Sequence, residues 1–308
     1  LLCSLTVWMI CWMPQDWKSA GSAPTAGMGR NDKDLIYLSS FLFSRRIMKN
    51  PNLYPYHVFA GMTERVLLFR PITILYGGNA SGKSTMLNIM ANKLKLQGQE
   101  YAACNMFGSY FTQFIEECRY SPGEDEEGRT VRIPKESRYI KSEDILYEIK
   151  KIQQEQVLEE GYVYEHIRRG MPKEQKEELK NSWQTRKALK NMIFCQEKYS
   201  NGETTLQMLE DYMEPDALYL LDEPEVSLSP ANQVALAEQI NEMARFLRCQ
   251  FIIATHSPFL LGTLNAKIYD LDSGELEERR WSELANVRYF YEFFQKRKEE
   301  FEPSDRWR

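Results

Sequence analysis

A short segment in the first third of the chain combines three glycines, a lysine and hydroxyl side chains. It reads Gly77-Gly78-Asn79-Ala80-Ser81-Gly82-Lys83-Ser84-Thr85 and matches the spacing G-x-x-x-x-G-K-S/T at every defined position. Glycines let backbone N–H groups turn inward around phosphates, where a side chain would block them. Lys83 would reach the β- and γ-phosphates of ATP, and the Ser84 hydroxyl would ligate Mg²⁺. This segment, the phosphate loop, therefore predicts binding of ATP and Mg²⁺.

Two carboxylates and a histidine follow apolar segments further along the chain. Asp222 and Glu223 come directly after Ala217–Leu221, and His256 lies 34 residues after Asp222. At the end of a strand, Asp222 would hold Mg²⁺ through water, and Glu223 would polarise the water that attacks the γ-phosphate. The candidate catalytic residues are therefore Lys83, Glu223 and His256, and the candidate metal ligands are Ser84 and Asp222.

Strands and helices are predicted around these residues. Ile72–Tyr76 is a β-branched run typical of a buried strand, and it leads into the phosphate loop, after which an amphipathic helix is predicted. Ala217–Leu221 and Phe251–Ala254 predict two more strands. Between them Ser229, followed by proline, predicts the start of a crossover helix. Because ligands bind at the carboxyl ends of strands in open α/β sheets, His256 is expected at the same sheet edge as the phosphate loop.

A further motif lies 22 residues before Asp222 and opens a predicted helix; it reads Ser200-Asn201-Gly202-Glu203. With the phosphate loop, the carboxylate pair and Thr255-His256-Ser257, in this order, it resembles the ABC-type P-loop ATPases. Glu203 and the run Asp222-Glu223-Pro224-Glu225 are most similar to the non-transporter branch. That branch includes chromosome-maintenance, DNA-repair and overcoming-lysogenization-type ATPases and small stand-alone ATPases of the AAA label. The resemblance covers about residues 67–271.

The resemblance implies an α/β fold: a P-loop NTPase whose mainly parallel central sheet is flanked by helices. It also implies an N-terminal antiparallel β element and an inserted helical lobe. Ser200 and Gly202 would contact the γ-phosphate bound to the opposite subunit, and two subunits would enclose two ATP molecules in a head-to-tail dimer. His256 would sense the γ-phosphate. The aspartate usual in the family's D-loop is missing from Val226–Ser229.

Two features of the family have no single match in the sequence. Gln113 is the candidate for the Q-loop glutamine, and Ser142-Glu143-Asp144 is an equal alternative for that structural place. Tyr56 and Phe69 are the candidates for stacking on adenine.

The chain is interpreted as one domain with additions. Residues 1–27, apolar at first and then rich in Ser, Ala, Gly and Pro, are predicted to be an extension or linker, and residues 28–308 an ATPase domain. Within the domain, a charged helical lobe is predicted at about 140–200 and a helical tail at about 275–308. The tail's aromatic cluster is expected to dock on the body of the protein. Residues 56–60 and 65–69 are predicted to pair as an antiparallel hairpin.

Composition excludes several classes of protein. The 308 residues are 43% hydrophobic and 27% charged, which excludes a disordered or collagenous chain. Six cysteines without CxxC pairs predict reduced thiols and a cytoplasmic location rather than a disulfide scaffold. The apolar run Leu1–Met13 is too short for a transmembrane helix. A net charge of −5 provides no overall basic field for nucleic acid, so such contact would need a local patch or a partner.

Three functions remain open from the sequence. The first is an ATP-hydrolysing dimerisation switch that acts on a separate effector protein. DNA maintenance or phage defence is its setting, and nucleic acid a partner, by family analogy only. The second is the energising subunit of a transporter, against which the signature Ser200–Glu203 argues. The third is an ATP-gated binding module with negligible turnover, against which Glu223 and His256 argue.

Overall fold

The computed structural model describes residues 35–50, 52–62, 65–100, 108–125, 127–147, 201–273 and 276–301. The chain divides into two units, Leu1–Lys33 and Asp34–Arg308, and every described residue belongs to the second. The predicted extension at 1–27 and most of the predicted helical lobe lie outside the described residues, so these two interpretations stay predictions.

Nine strands are formed by the described residues, in two sheets. In chain order they are β1 (Leu38–Leu42), β2 (Val66–Leu68), β3 (Ile72–Tyr76), β4 (Arg119–Pro122), β5 (Arg138–Lys141), β6 (Leu218–Asp222), β7 (Gln250–Thr255), β8 (Lys267–Asp270) and β9 (Glu277–Glu278). The central sheet has the order β5-β6-β7-β3-β8-β9, and every neighbouring pair is parallel except β8 with β9. Strands β3, β6 and β7 are buried along their whole length, as expected for parallel strands covered on both faces. The three predicted strands of the site are thereby confirmed.

The second sheet is antiparallel, with the order β2-β1-β4, and confirms the predicted antiparallel element. The predicted hairpin is wrong, however. Tyr56–Phe59 is a 3₁₀ helix, and β2 pairs with β1 instead. Tyr56 and Phe59 are both buried, and their spacing of three residues suits a 3₁₀ turn. Pro55, directly before them, also lacks the N–H that a strand ladder needs.

One buried side chain bonds the antiparallel sheet to the central sheet. Gln250 begins β7 and is completely buried. Its Oε1 accepts hydrogen bonds from the backbone N–H groups of Tyr37 and Leu38, at 2.9 and 2.8 Å. Its Nε2 donates to the Leu38 carbonyl at 2.9 Å. The start of β1 is thus fixed against the strand that leads to His256.

The helices of the described residues lie between the strands in chain order and after the last of them. They are α1 (Lys83–Leu94), α2 (Gly108–Glu117), α3 (Asn201–Tyr212), α4 (Pro230–Phe246), α5 (Pro258–Thr263), α6 (Ala285–Lys296) and α7 (Lys298–Phe301), with a 3₁₀ helix at Trp281–Glu283 and helical residues 142–147. The predicted start of α4 is confirmed, because the Ser229 hydroxyl accepts from the Asn232 N–H at 3.3 Å. Among the described residues, no helix combines the length and the apolar character needed to cross a bilayer.

The C-terminal helix forms as predicted, but the expected docking of its aromatic cluster is wrong. Phe290, Tyr291, Phe293 and Phe294 are all exposed, between 39% and 55%. The buried residues of this region are instead Leu284 and Val287, at the start of α6. Asn286 adds two bonds there, from its backbone N to the Tyr76 hydroxyl and from its side chain to the His256 carbonyl. Within the part of the chain that the structure describes, the first turn of α6 is therefore the part of this helix that packs against the body of the protein.

Candidate functional site

The phosphate loop joins the carboxyl end of β3 to the first turn of α1. Gly82 is the N-cap of α1 and has φ +92°, a conformation that L side chains rarely adopt. A Cβ at Gly82 would lie 2.4 Å from Cγ1 of Val58, and one at Gly77 would lie 2.5 Å from Oγ of Ser81. Gly82 therefore favours glycine both through its backbone conformation and through this close contact, whereas at Gly77 the contact alone disfavours a side chain.

Lys83 lies across the loop. Its side chain is only 4% exposed, and its Nζ donates to the carbonyls of Gly77 and Gly78 at 2.8 Å each. The same Nζ is 3.7 Å from Oε1 of Glu223. The Gly78 N–H in turn donates to the carboxylate of Asp272, at 2.9 and 3.0 Å. Asp272 was not among the predicted site residues, since it lies 194 residues from Gly78 and no motif surrounds it.

Asp222 ends β6 next to the loop and is held by two hydroxyl groups. The Ser84 hydroxyl donates to its Oδ1 at 3.1 Å, and the Tyr139 hydroxyl donates to its Oδ2 at 3.0 Å. Burial raises the pKa of Asp222, and these two hydrogen bonds offset part of the rise. Tyr139, on β5, was missed by sequence reasoning. The only available signal was that a buried tyrosine hydroxyl needs a partner.

Glu223 lies between the other two candidate catalytic residues. Its Oε1 is 3.7 Å from Lys83 Nζ and 3.7 Å from His256 Nδ1, and its side chain is 33% exposed. Its φ of +48° is uncommon for a residue with a side chain, and such conformations concentrate at functional sites. The Glu223 N–H donates to the Ala254 carbonyl at 2.9 Å, which fixes the turn. The structure thus brings together the three residues that sequence analysis named as catalytic.

Beneath the histidine lies a second glutamate. Glu225 is buried, and its Oε1 accepts from the Thr255 hydroxyl at 2.6 Å and from the His256 N–H at 3.1 Å. Burial raises the pKa of Glu225, and the Thr255 hydrogen bond opposes that rise. The sequence showed Glu225 only as part of a motif and gave it no role of its own.

The two Q-loop candidates occupy different places. Ser142 follows β5, is buried, and donates from its hydroxyl to the Glu223 carbonyl at 2.5 Å. Gln113 lies on α2, and no hydrogen bond joins it to a site residue in the part of the chain that the structure describes. Of the two, Ser142 is the one that contacts the site.

A cavity of about 380 Å³ opens beside the loop. It is lined by residues 79–85, Tyr54, His57, Val58 and Glu223. The predicted adenine contacts Tyr56 and Phe69 are wrong, because both are buried in the core and neither lines the cavity. Tyr54 does line it and is 41% exposed.

The signature motif is described only in part. Asn201 begins α3, as predicted for a helix opening at this motif. Ser200 lies outside the described residues, and the side chains of Asn201 and Glu203 are not among those described, nor are contacts of Gly202. The predicted contact of this motif with an opposite subunit stays a prediction.

The residues present fit a nucleoside triphosphate with Mg²⁺. The Ser84 hydroxyl and the Asp222 carboxylate are oxygen ligands of the kind that Mg²⁺ binds. The buried Ser81 Oγ has no hydrogen-bond partner among the described residues, and it stands in the loop where an acceptor would complete it. The positive end of α1 and the Lys83 ammonium favour an anion at the same place. The cavity volume is in the range of small-molecule sites.

Residues 107–262, half of the chain, match the model of a protein family described as "AAA domain, putative AbiEii toxin, Type IV TA system". The matched range includes Asp222, Glu223, Glu225 and His256 but begins after the phosphate loop. It agrees with the resemblance to stand-alone P-loop ATPases drawn from the sequence. A search of curated proteins by sequence found no match.

Solved structures with some likeness include Stu0660 of Streptococcus thermophilus, with 15% identity, TM-score 0.36, and coverage of 87% of this chain and 81% of that one. CbiO1 from Clostridium perfringens, part of the ABC transporter complex cbiONQ, has 13% identity, TM-score 0.41, and coverage of 86% and 96%. The SMC head domain from Thermotoga maritima has 12% identity, TM-score 0.36, and coverage of 76% and 94%. Likeness at this level does not bear on what this chain does.

Proposed function

The chain belongs to the family of AAA domains whose model matches residues 107–262, and from that premise we propose that it is an ATPase. It binds ATP in the cavity beside the phosphate loop and converts ATP and water to ADP and phosphate. One observation carries the proposal. Glu223 Oε1 lies 3.7 Å from both Lys83 Nζ and His256 Nδ1, directly beside the loop.

Each residue has a role that follows from its chemistry. The loop N–H groups and Lys83 bind the phosphates, because an inward-turned backbone and a buried ammonium both favour anions. Ser84 and Asp222 hold Mg²⁺, which when bound neutralises charge on the phosphate oxygens. Glu223 orients the attacking water and accepts its proton, since its carboxylate is fixed by the turn yet a third exposed.

Tyr54 is the residue that we assign to the base. Its ring lies 5.9 Å from the ring of His57 and 5.9 Å, nearly parallel, from that of Phe111. A partly exposed ring at the rim of the cavity offers a flat apolar surface, on which a nucleobase stacks.

The finer proposal is a dimerisation switch. Glu223 and His256 are 33% and 45% exposed, so the catalytic carboxylate and imidazole of one chain remain open to water. A second surface that covered them would exclude bulk water and strengthen the electrostatic interactions inside. We assign that surface to residues 200–203 of a second copy in a head-to-tail, ATP-dependent dimer. A separate effector protein, with nucleic acid as a further partner by family analogy, would respond to the closed state.

The test of the ATPase is phosphate release by wild type, Glu223→Gln and a matched Glu238→Gln control on the exposed surface of α4. Glu223→Gln keeps the size of the side chain and removes the base, so turnover is expected to fall by about 100-fold or more. Binding of a fluorescent ATP analogue should persist. Unchanged turnover in Glu223→Gln would remove that residue from catalysis, and no ATP-dependent phosphate release by wild type would overturn the proposed function.

The dimer has its own test. Glu223→Gln with ATP and Mg²⁺ is expected to run as a dimer in light scattering, because ATP persists when it is not hydrolysed. Ser200→Arg in the same background is expected to bind ATP and remain a monomer. Normal dimerisation of that double variant would rule out residues 200–203 as the contact surface.

A further inference from the structure

We propose that Glu225 is a positioning residue that fixes the imidazole of His256. Its carboxylate keeps a proton on Nδ1, so that Nε2 is the nitrogen left free to meet the substrate. The relevance of this contact to ATP turnover rests on the proposed function. The contact itself does not.

The carboxylate of Glu225 is held rigidly. Its side chain is only 7% exposed. Oε1 accepts from the Thr255 hydroxyl at 2.6 Å and from the backbone N–H of His256 at 3.1 Å. Both donors lie at the end of β7, so Glu225 is bonded to the same turn that carries the imidazole. Such a group can set the orientation of a neighbouring side chain without moving itself.

Each residue of this pair has one buried polar atom without a hydrogen-bond partner among the described residues. These atoms are His256 Nδ1 and Glu225 Oε2. Nδ1 lies 3.5 Å from Oε1 of the same carboxylate. The His256 side chain is nevertheless 45% exposed, so its exposed area comes from ring atoms other than Nδ1. The imidazole therefore turns its Nδ1 inward against Glu225.

The charges around Nδ1 decide which nitrogen carries the proton. Among the described residues, Glu225 Oε1 at 3.5 Å and Glu223 Oε1 at 3.7 Å are the carboxylate atoms beside it, and Lys83 Nζ lies 3.7 Å from that same Glu223 oxygen. A bare lone pair on Nδ1 would face two carboxylate oxygens that repel it, whereas an N–H there would be attracted to both, so the Nδ1–H form is favoured. Glu223 has to serve the water, which leaves Glu225 as the constant partner of the ring.

The backbone at His256 is fixed as well. Its carbonyl accepts from the side chain of Asn286 on α6 at 3.1 Å. Removal of the Glu225 charge is expected to release the ring to the other tautomer while the surrounding backbone stays in place.

The direct test is nitrogen NMR of the histidine rings in nucleotide-free protein. The chain has only three histidines, His57, His166 and His256, so His256→Gln identifies the signal. In wild type, His256 is expected to carry its proton on Nδ1. In Glu225→Gln it is expected to shift toward the Nε2–H form. The same tautomer in both proteins would overturn the proposal.

Turnover provides a second readout. Glu225→Gln retains an oxygen that can accept from Thr255 and the His256 N–H, so a purely structural role predicts no effect. A role through the tautomer predicts a fall in kcat of about tenfold or more with little change in KM. When His256 is already replaced by Gln, adding Glu225→Gln should then cause no further fall in kcat. An equal loss in both backgrounds would overturn the link to His256.

Glu117→Gln is the matched control. That carboxylate is also hydrogen-bonded by side chains, from Ser44 and Arg46, but lies at the end of α2 away from His256. It is expected to leave kcat and the His256 signal unchanged. If wild type released no phosphate from ATP, the proposed function would fail, while the NMR comparison would still decide whether Glu225 holds the ring.

Discussion

Replacement of Gly82 by alanine tests whether backbone strain and steric crowding are what require glycine at this position of the phosphate loop. An alanine there would have to adopt φ +92°, and its Cβ would lie 2.4 Å from Cγ1 of Val58. A left-handed conformation costs a residue with a side chain about 1–2 kcal/mol, and overpacking costs about 1–3 kcal/mol. Gly82→Ala is therefore expected to lower the free energy of unfolding by about 2–5 kcal/mol, a large share of a typical total of about 5–15.

Two other glycines separate strain from crowding. Gly128 has φ +76°, and a Cβ there would meet nothing within 4 Å. The loss of stability in Gly128→Ala should therefore come from backbone strain alone. Gly61 has neither a positive φ nor a close neighbour, so Gly61→Ala should leave stability unchanged or slightly improved. Urea unfolding of the three variants, with tryptophan fluorescence as the signal, gives the comparison.

Val58→Ala isolates the clash, since it removes the methyl group that the new Cβ would meet. The cost of Gly82→Ala should be smaller in the Val58→Ala background by the overpacking part, about 1–3 kcal/mol. Additive costs, or a Gly82→Ala variant no less stable than Gly128→Ala, would refute the steric reasoning. Affinity for ATP should fall with Gly82→Ala in every case, because the first N–H groups of α1 would be displaced.

Three further predictions concern the site and its support. Asp222→Asn should raise the melting temperature in EDTA at pH 7, because burial raises the pKa of the native carboxyl and its ionised form is therefore destabilising. The gain in melting temperature should shrink as the pH falls through the native pKa of Asp222 toward the unfolded pKa of about 4, because the wild-type carboxyl is then protonated. A gain that did not depend on pH would contradict this explanation. Gln250→Leu should lower the free energy of unfolding by about 3 kcal/mol or more, because three buried backbone groups of Tyr37 and Leu38 lose their hydrogen-bond partner. Urea unfolding measures this change, and a loss below about 1 kcal/mol would contradict the prediction. Tyr54→Ala should weaken the binding of a fluorescent ATP analogue by about tenfold. The affinity for inorganic triphosphate, which has no base, should stay the same. An equal loss of affinity for both ligands would exclude stacking of Tyr54 on the base.

Local patterns were sufficient for the strands of the site and the helix starts. β3, β6 and β7 are unbroken apolar runs because parallel strands buried on both faces admit little else, and such runs are visible in sequence. Ser229 caps α4 through a bond to a residue three positions away, which a sequence window contains. Errors occurred where tertiary packing competed with a local pattern. The segment around Tyr56 became a 3₁₀ helix to bury its rings, and the aromatic face of α6 stayed exposed although apolar residues usually dock.

The sequence by itself determined the chemistry of the phosphate loop, since its glycines, lysine and hydroxyls are contiguous and act through local backbone geometry. It also placed Asp222, Glu223 and His256 at strand ends, where parallel strands share one edge. Only the tertiary structure decided which side chains support them. Tyr139 reaches Asp222 across 83 residues, and Glu225 reaches Thr255 across 30. These contacts depend on the order β5-β6-β7-β3, in which neighbours in space are distant in sequence, and no local pattern of residues encodes that order.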